Sequence, residues 1–504
     1  MNIKNKLIKF TNLNSLRKKY KSKKIVLAHG TFDFIHIGHI NHLEKSKNAG
    51  DILVVSLTSD KFVSKGPNRP IYNDAQRVKF LSSIDFVDYI VVVTSLSGVE
   101  VIRELKPDIY SKGIEYKKLL NDYTKKISLE LKELKKNNGT PIYTNEPTLS
   151  SSNLVNRLIN IPNNEINYFK QNFIKKNNFD EFKQRFYKIE KKNILVIGEA
   201  ILDNYIFTSA LSKSPKEEII SVKEENTSFY AGGIFATANN ISNFVNKVTL
   251  ISVFNENNIL FKKIKNKINK NLKCIFYKDK NVDMSIKKRF LDVSKKKLFQ
   301  VNNLNFNEIE PNTEKKIINF LKKNLKSFDL VVVNDFGHGL LTKNIINCLE
   351  INSKKLAVNV QTNSANFGFN FFDKYSRSYY LTLDEPEVRF ALRDRKSSSR
   401  VLFKKILKRT KSQIVAITYG SNGTKIFSKN SYFDLPVLSN NVVDSMGAGD
   451  AFFAISSIYS LEDSNPENIG FIGNLAGAIK IQNLGHEKFI DKNLLLGYLK
   501  SFLA

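Results

Sequence analysis

The chain has no tryptophan, three methionines and only two cysteines, Cys274 and Cys348, in 504 residues. Two distant cysteines without metal-type spacing exclude a disulfide-stapled secreted scaffold and a structural zinc cluster, and they fit a reduced, cytoplasmic protein. No run of about 18 apolar residues occurs, which argues against a membrane-spanning helix. The Lys-rich stretch Met1–Lys24 lacks the apolar centre of a signal peptide. Acidic residues are also short in number: 48 Asp and Glu against 79 Lys and Arg give a formal charge of +31. Such a charge can mean nucleic acid, anionic lipid or anionic substrates. Here Lys is spread along the whole chain with abundant Asn and Ile, which reads as compositional bias, with part of the charge serving anionic substrates.

What is present is a series of short β-branched runs separated by helical stretches. Ile25–Ala28, Ile52–Ser56 and Tyr89–Val93 are apolar on both faces, the signature of buried parallel strands. Helical segments are expected around 39–48 and 74–83. A second series opens at Asn193–Gly198 and continues at Val248–Val253, Leu330–Val333, Leu356–Val360 and Ile414–Thr418. Both series predict α/β, doubly wound domains. The boundaries expected are 23–160 for the first domain, a helical linker at 161–192, and 193–504 for the second. Glu217–Phe229 alternates like an exposed antiparallel strand of a small lid.

Near the N-terminus, His29-Gly30-Thr31-Phe32-Asp33 follows the first strand, and His36 and His39 open the next helix. A helix N-terminus favours phosphate through its unpaired N–H groups and dipole. Gly30 lets backbone approach closely, and imidazoles at i, i+3 share one face of the helix start. From there they can stabilise charge building on α- and β-phosphates during in-line attack. These residues resemble the cytidylyltransferase-like nucleotidyltransferases, a match that continues through Lys65-Gly66, Arg69-Pro70, Gln76-Arg77, Pro107-Asp108 and Lys112-Gly113. The resemblance covers about 23–160. It implies that His36 and His39 are catalytic and that Gly30, Thr31, Phe32, Lys47, Lys112, Ser150, Ser151, Ser152 and Arg157 hold nucleotide or phosphate. Ile114-Glu115 departs from the Gly-Asp usual in the heptose-specific members, and Gly30–Asp33 leans slightly toward cytidylyl transfer.

Near the C-terminus stands Asp444-Ser445-Met446-Gly447-Ala448-Gly449-Asp450, before an apolar helix. The Gly-Ala-Gly turn makes a backbone nest for developing negative charge, and Asp450 is placed to take a proton from a hydroxyl. The motif resembles the second signature of the ribokinase-like (PfkB) carbohydrate kinases. Supporting matches are Gly198-Glu199, Leu202-Asp203, Ser212 to Glu217, Ala231-Gly232-Gly233, Asn334-Asp335-Phe336 and Thr418, Gly420 and Gly423. The resemblance implies a catalytic Asp450 and sugar binding by Asp203, Gly232, Gly233 and Arg289. It implies nucleotide contacts from Thr418, Gly420, Gly423, Asp444, Gly447, Ala448 and Gly449, and Mg²⁺ near Asp384 and Glu387, hard oxygen ligands of the kind magnesium prefers. Departures lie on the sugar side: Ala236 replaces an Asn, Val358-Asn359-Val360 replaces a strand ending in Asp-Pro, and His338 replaces a frequent Lys.

Together the two signatures resemble the bifunctional heptose 7-phosphate kinase/heptose 1-phosphate adenylyltransferases with the domain order reversed. That implies ATP-dependent phosphorylation of a sugar phosphate, then nucleotidyl transfer to a sugar 1-phosphate with release of pyrophosphate. A separate phosphatase acts between the two steps. Mg²⁺ is the expected cofactor, ATP (or CTP in the first domain) the nucleotide, and a homo-oligomer the expected assembly, with no membrane or nucleic-acid partner. Two alternatives stand beside it: a cytidylyltransferase for a polyol or other sugar phosphate fused to a sugar kinase, and a basic nucleic-acid-binding protein with a degenerate kinase fold.

Overall fold

A computed structural model of the chain describes residues 6–63, 70–95, 97–114, 126–145, 164–213, 220–255, 259–363, 366, 368–428, 431–439 and 442–503. Two compact units divide it: Met1–Asn163 with Leu496–Ala504, and Asn164–Leu495.

The first unit is built on five parallel strands, β1 (Ile25–Gly30), β2 (Ile52–Thr58), β3 (Tyr89–Val93), β4 (Ile109–Gly113) and β5 (Thr140–Thr144). Their order is β3-β2-β1-β4-β5. The order reverses between β1 and β4, so the crevice outside their C-terminal ends is where a doubly wound sheet places ligands. Alternate residues of β1 serve opposite cores. Ile25 and Leu27 pack with Val101 and Leu105 on one face, Val26 and Ala28 with Leu43 and Leu81 on the other. That two-sided burial explains why β1 to β3 read as continuous apolar runs.

The second unit carries a nine-stranded sheet of order β10-β9-β6-β13-β14-β15-β16-β17-β18 and a four-stranded sheet of order β12-β11-β7-β8. In chain order the strands are β6 (Asn193–Gly198), β7 (Ala200–Lys213), β8 (Ile220–Gly233), β9 (Lys247–Val253), β10 (Leu272–Tyr277), β11 (Ser285–Leu291), β12 (Lys297–Asn303), β13 (Leu330–Asp335), β14 (Leu356–Val360), β15 (Tyr380–Asp384), β16 (Ile414–Thr418), β17 (Thr424–Ser428) and β18 (Ser431–Leu435). Pairing is parallel from β10 to β16 and antiparallel across β16, β17 and β18. The alternating stretch at Glu217–Phe229 falls largely in β8, antiparallel to β7 in the smaller sheet.

The stretch expected as a linker is helical, over Asn164–Lys176 and Phe179–Ile189. Rather than spanning open solvent, these helices pack on the second unit. The Phe173 ring lies 4.3 Å from Phe471, Phe182 and Phe186 lie 5.8 and 5.3 Å from Tyr459, and Arg185 pairs with Asp463. Phe173, Phe182 and Phe186 are essentially fully buried, and each contributes about 1.5–3 kcal/mol of apolar burial. The sequence hides this because Asn and Lys on the outward face dilute an aromatic stripe that repeats at helical spacing.

Candidate active sites

In the first unit, β1 delivers His29 and Gly30 to the crevice and helix Ile37–Asn48 starts just beyond. His36 is its N-cap: Nδ1 accepts from Gly38 N at 3.1 Å, while His39 Nδ1 accepts from His36 N at 3.4 Å. This reciprocal capping box has an electronic consequence. A ring nitrogen that accepts an N–H carries no proton, so each imidazole is fixed as the tautomer with hydrogen on Nε2. The rings lie 4.0 Å apart. Folding thus prepares two Nε2–H donors side by side at a helix N-terminus.

The loop between is held by buried polar groups. Arg77 is fully buried and donates to Thr31 O at 2.6 Å, Thr58 O at 2.9 Å and Tyr72 O at 2.9 Å, with Asp60 and Asp74 as its counter-ions. Asp33 accepts from Ile71 N and Tyr72 N. Phe32 and Phe34 take left-handed backbone, φ 47° and 56°. The room beside Gly30 is filled by the Phe32 ring, which a Cβ at Gly30 would approach to 3.1 Å. The same ring flanks His39 at 5.7 Å.

Lys112, at the end of β4, donates to His29 O at 3.2 Å and lies 3.6 Å from Glu130. Glu130 is buried and accepts from Gly98 N and Tyr110 Oη. Burial works to raise its carboxyl, but Lys112 and His29 more than offset that and hold it below the usual range. Lys47, expected to hold phosphate, is engaged by other groups. Its Nζ donates to Asp51 O and pairs with Asp88, each at 2.6 Å, and Asp88 also accepts from Leu53 N near the start of β2. Lys47 therefore lies by the N-terminal ends of the strands, away from the crevice, near the far end of a 12-residue helix that spans about 18 Å at 1.5 Å per residue. Ser150, Ser151, Ser152 and Arg157 lie outside the described residues.

In the second unit, Gly447 caps helix Ala448–Tyr459 with φ 76°, a conformation in which a side chain is strained and would also meet the His486 ring at 2.5 Å. Ala448 and Gly449 form the first turn, and a Cβ on Gly449 would touch nothing. Asp450, nearly buried, follows. Burial raises its carboxyl, while the Gln361 amide, Lys287 and Lys480 work the other way. Asp444 ties the loop down: it accepts from Tyr205 Oη at 2.9 Å, Gly485 N at 2.9 Å, Met446 N at 3.1 Å and Lys297 Nζ at 2.6 Å. Burial opposes its ionisation, but these donors hold the carboxyl low.

The expected sugar-binding residues Asp203 and Arg289 are brought together as an ion pair, 5% and 2% exposed. Arg289 holds Asp203 Oδ1, and His486 Nε2 lies 3.5 Å from Oδ2. A Cβ on Gly232 would come within 2.1 Å of Asp203 Oδ2, so the glycine is required by close packing of this cluster. Gly233, φ 57°, begins helix Ile234–Ser242. Burial pushes His486 down to about 4, so its imidazole is neutral near pH 7. The departures are also packed: Ala236 is fully buried, and His338 bridges Ser285 Oγ and Asn363 Nδ2.

Asp384 and Glu387 form a capping box for helix Glu385–Leu392. Glu387 accepts from Asp384 N at 2.9 Å and Thr362 N at 2.7 Å, and Asp384 Oδ1 accepts from Thr418 Oγ1 at 3.0 Å. Burial pushes the Glu387 carboxyl up to about 7. Among the described residues no group of three or more His, Cys, Asp or Glu is arranged to hold a metal. The pair fits magnesium only in the manner of kinase sites, where one or two carboxylates share the ion with water and nucleotide phosphate. Thr418, Gly420 and Gly423 line the turn from β16 into β17. Of the further residues around Asp450 and Asp203, Gln361, Lys480 and His486 carried no sequence signal. Only Lys287 had a clue, sharing a strand face with Arg289 at i, i+2.

Residues 191–493, more than half the chain, match the family described as pfkB family carbohydrate kinase. The chain belongs to the pfkB family of carbohydrate kinases. Ahead of the pfkB region, residues 27–157 match the cytidylyltransferase-like family. Similar curated proteins include the bifunctional protein HldE of Campylobacter jejuni subsp. doylei, 46% identical over 20% of this chain and 22% of that protein. The bifunctional protein HldE of Aliarcobacter butzleri is 28% identical over 59% of this chain and 62% of its own length. The chain thus spans between about a fifth and three fifths of these relatives. Among solved structures, ribokinase of Thermotoga maritima shares 16% identity over 61% of this chain and 99% of its own (TM-score 0.47). Phosphofructokinase-2 of Escherichia coli shares 12% over 62% and 99% (TM-score 0.49). Among the described residues of this pfkB-family chain, no helix is long and apolar enough to cross a membrane.

Proposed function

We propose that the chain is a bifunctional enzyme of nucleotide-sugar synthesis, joining an ATP-dependent sugar-phosphate kinase to a nucleotidyltransferase that makes an ADP-heptose-like product. The observation that carries this reading is the pairing, in one chain, of a capped His36/His39 donor pair with a buried Asp450 beside a glycine anion nest. The bifunctional relatives support it. In the nucleotidyltransferase half, covering about 23–160, an oxygen of the sugar 1-phosphate attacks the α-phosphorus of ATP. The two Nε2–H donors stabilise charge on the α- and β-phosphates as pyrophosphate leaves. Lys112 adds positive charge at the end of β4.

In the kinase half, covering about 193–504, Asp450 takes the proton of the substrate hydroxyl while that oxygen attacks the γ-phosphorus. Amides of the Gly447–Gly449 turn receive the charge developing on the transferred group. Asp384 and Glu387 would hold a magnesium ion, which would supply charge neutralisation for the triphosphate. A separate phosphatase is required between the two steps if the substrate is heptose 7-phosphate. Asp203 and Arg289 are already paired with each other, so they shape the sugar pocket through that pair.

The test is separability. The full chain is incubated with ATP or CTP and a panel of sugar phosphates, and ADP and pyrophosphate are followed separately. His39→Ala should abolish pyrophosphate release and leave ADP formation within about twofold, and Asp450→Asn should do the reverse. Loss of both activities in either folded variant refutes the two-site reading. Retention on heparin that collapses with modest salt, without turnover, would favour a nucleic-acid role instead.

A further inference from the structure

Gln361 lies just beyond β14, and its side-chain nitrogen has both protons committed. One goes to Asp450 Oδ1 at 2.6 Å, the other to Asn359 Oδ1 at 2.8 Å. Asn359 in turn donates to Thr382 O and Thr382 Oγ1, both at 3.0 Å. The backbone of Gln361 is pinned as well. Its N–H donates to Asp335 O at 2.8 Å, and its carbonyl accepts from Asn370 Nδ2 at 3.1 Å. A chain of amides therefore runs from the ends of β14 and β15 to the first turn of helix Ala448–Tyr459. Asn334 Nδ2 adds a longer contact to the same Oδ1 at 3.4 Å. No described residue donates to Asp450 Oδ2.

We propose that Gln361 is a positioning residue for phosphoryl transfer: by holding Oδ1 of Asp450 in place, it assigns Oδ2 as the atom that receives the substrate proton. The inference rests on the reading of Asp450 as the base. In the step itself the substrate O–H proton passes to Oδ2 and the hydroxyl oxygen bonds to the γ-phosphorus of ATP. The bond from that phosphorus to the β,γ-bridging oxygen breaks, and ADP leaves with the electron pair. The proton on Oδ2 is lost to solvent after product release.

Charged groups also face Asp450: Lys287 from β11, Lys480 from helix Pro466–Lys480, Asp203 from β7 and Glu387 from helix Glu385–Leu392. They bias ionisation through space but do not select one carboxylate oxygen over the other. An N–H donor weakens steeply away from linearity, so it does select.

The full chain is assayed with ATP and whichever sugar phosphate of the panel the wild type phosphorylates fastest. Gln361→Leu should lower kcat about 10- to 100-fold, the range set by losing one hydrogen bond to a charged group. KM for both substrates should change less than about threefold, because the contact is not to either substrate. Gln361→Lys, which keeps a donor, should restore most of kcat. Asn359→Ala, which loosens Gln361 without touching Asp450, should give a smaller fall in kcat. Unchanged kcat in folded Gln361→Leu, or a rise in KM that accounts for the whole loss, overturns the proposal. If the wild type phosphorylates nothing, the kinase reading fails separately. Gln361 is then judged by the ¹³C-carboxyl titration of Asp450, assigned against Asp450→Asn. Its midpoint should move up in Gln361→Leu, and an unmoved midpoint overturns the positioning role.

Discussion

Truncating Asp203 should cost the second unit stability out of proportion to the atoms removed. The carboxylate is 5% exposed and its guanidinium partner Arg289 2% exposed, and Arg289 Nε already lacks a hydrogen-bond partner. Asp203→Ala leaves a buried cation whose other acidic neighbour, Asp444, is committed to Lys297, Tyr205 and two backbone amides. Breaking a buried pair from one side costs about 3–5 kcal/mol. Replacing both partners by apolar groups of similar volume, Asp203→Leu with Arg289→Met, should cost much less, because no charge is then stranded. The assay is urea unfolding of the full chain, followed by probes in each unit. Only the transition of Asn164–Leu495 should shift, and the double variant should lie closer to the wild type than either single one. Single-variant losses under about 1 kcal/mol, or losses that simply add in the double variant, would refute the account of Asp203 and Arg289 as a structural pair.

Lys47→Ala should leave nucleotidyl transfer within about twofold and cost at most about 1 kcal/mol, the scale of an exposed ion pair, in contrast to Lys112→Ala; a large rise in KM for nucleotide would return Lys47 to the site. Burial and the neighbouring Asp335 push the Glu199 carboxyl up to about 7. An acid whose folded value exceeds its unfolded value near 4.5 stays protonated longer in the folded state, so its contribution to stability falls as pH rises from about 4.5 to 7. Glu199→Gln should flatten that fall in thermal melts across the window, and an unchanged slope would contradict it. Both activities should disappear in excess EDTA and return with Mg²⁺ or Mn²⁺; full turnover of the kinase half without metal would remove the Asp384/Glu387 assignment, and full turnover of the other half would remove the metal requirement there.

The amino-acid sequence by itself determined the two α/β units, several of their buried parallel strands and the two turns that open helices Ile37–Asn48 and Ala448–Tyr459. Those features are local: strands buried on both faces are written as apolar runs, and a turn that needs positive φ or a helix N-cap names its residues within a few positions. The strand expected at Tyr89–Val93 spans those residues, and that at Asn193–Gly198 does too. Shorter or more polar strands such as β5, with Pro141 and a single buried residue, and the exposed edge strand β12 were not legible, because little burial leaves no clear period. Only the tertiary structure decided what surrounds each motif. Sequence likeness put Lys47 near phosphate; helix length carries it toward the N-terminal ends of the strands. It put Asp203 and Arg289 on the sugar; the parallel register of β7 and β11 sets Lys287 opposite Asp203, and Arg289, two residues on, reaches the same carboxylate diagonally. Gln361 reaches Asp450 across 89 residues of sequence. Contacts of that separation are fixed by sheet order and strand register, which no local pattern of side chains encodes.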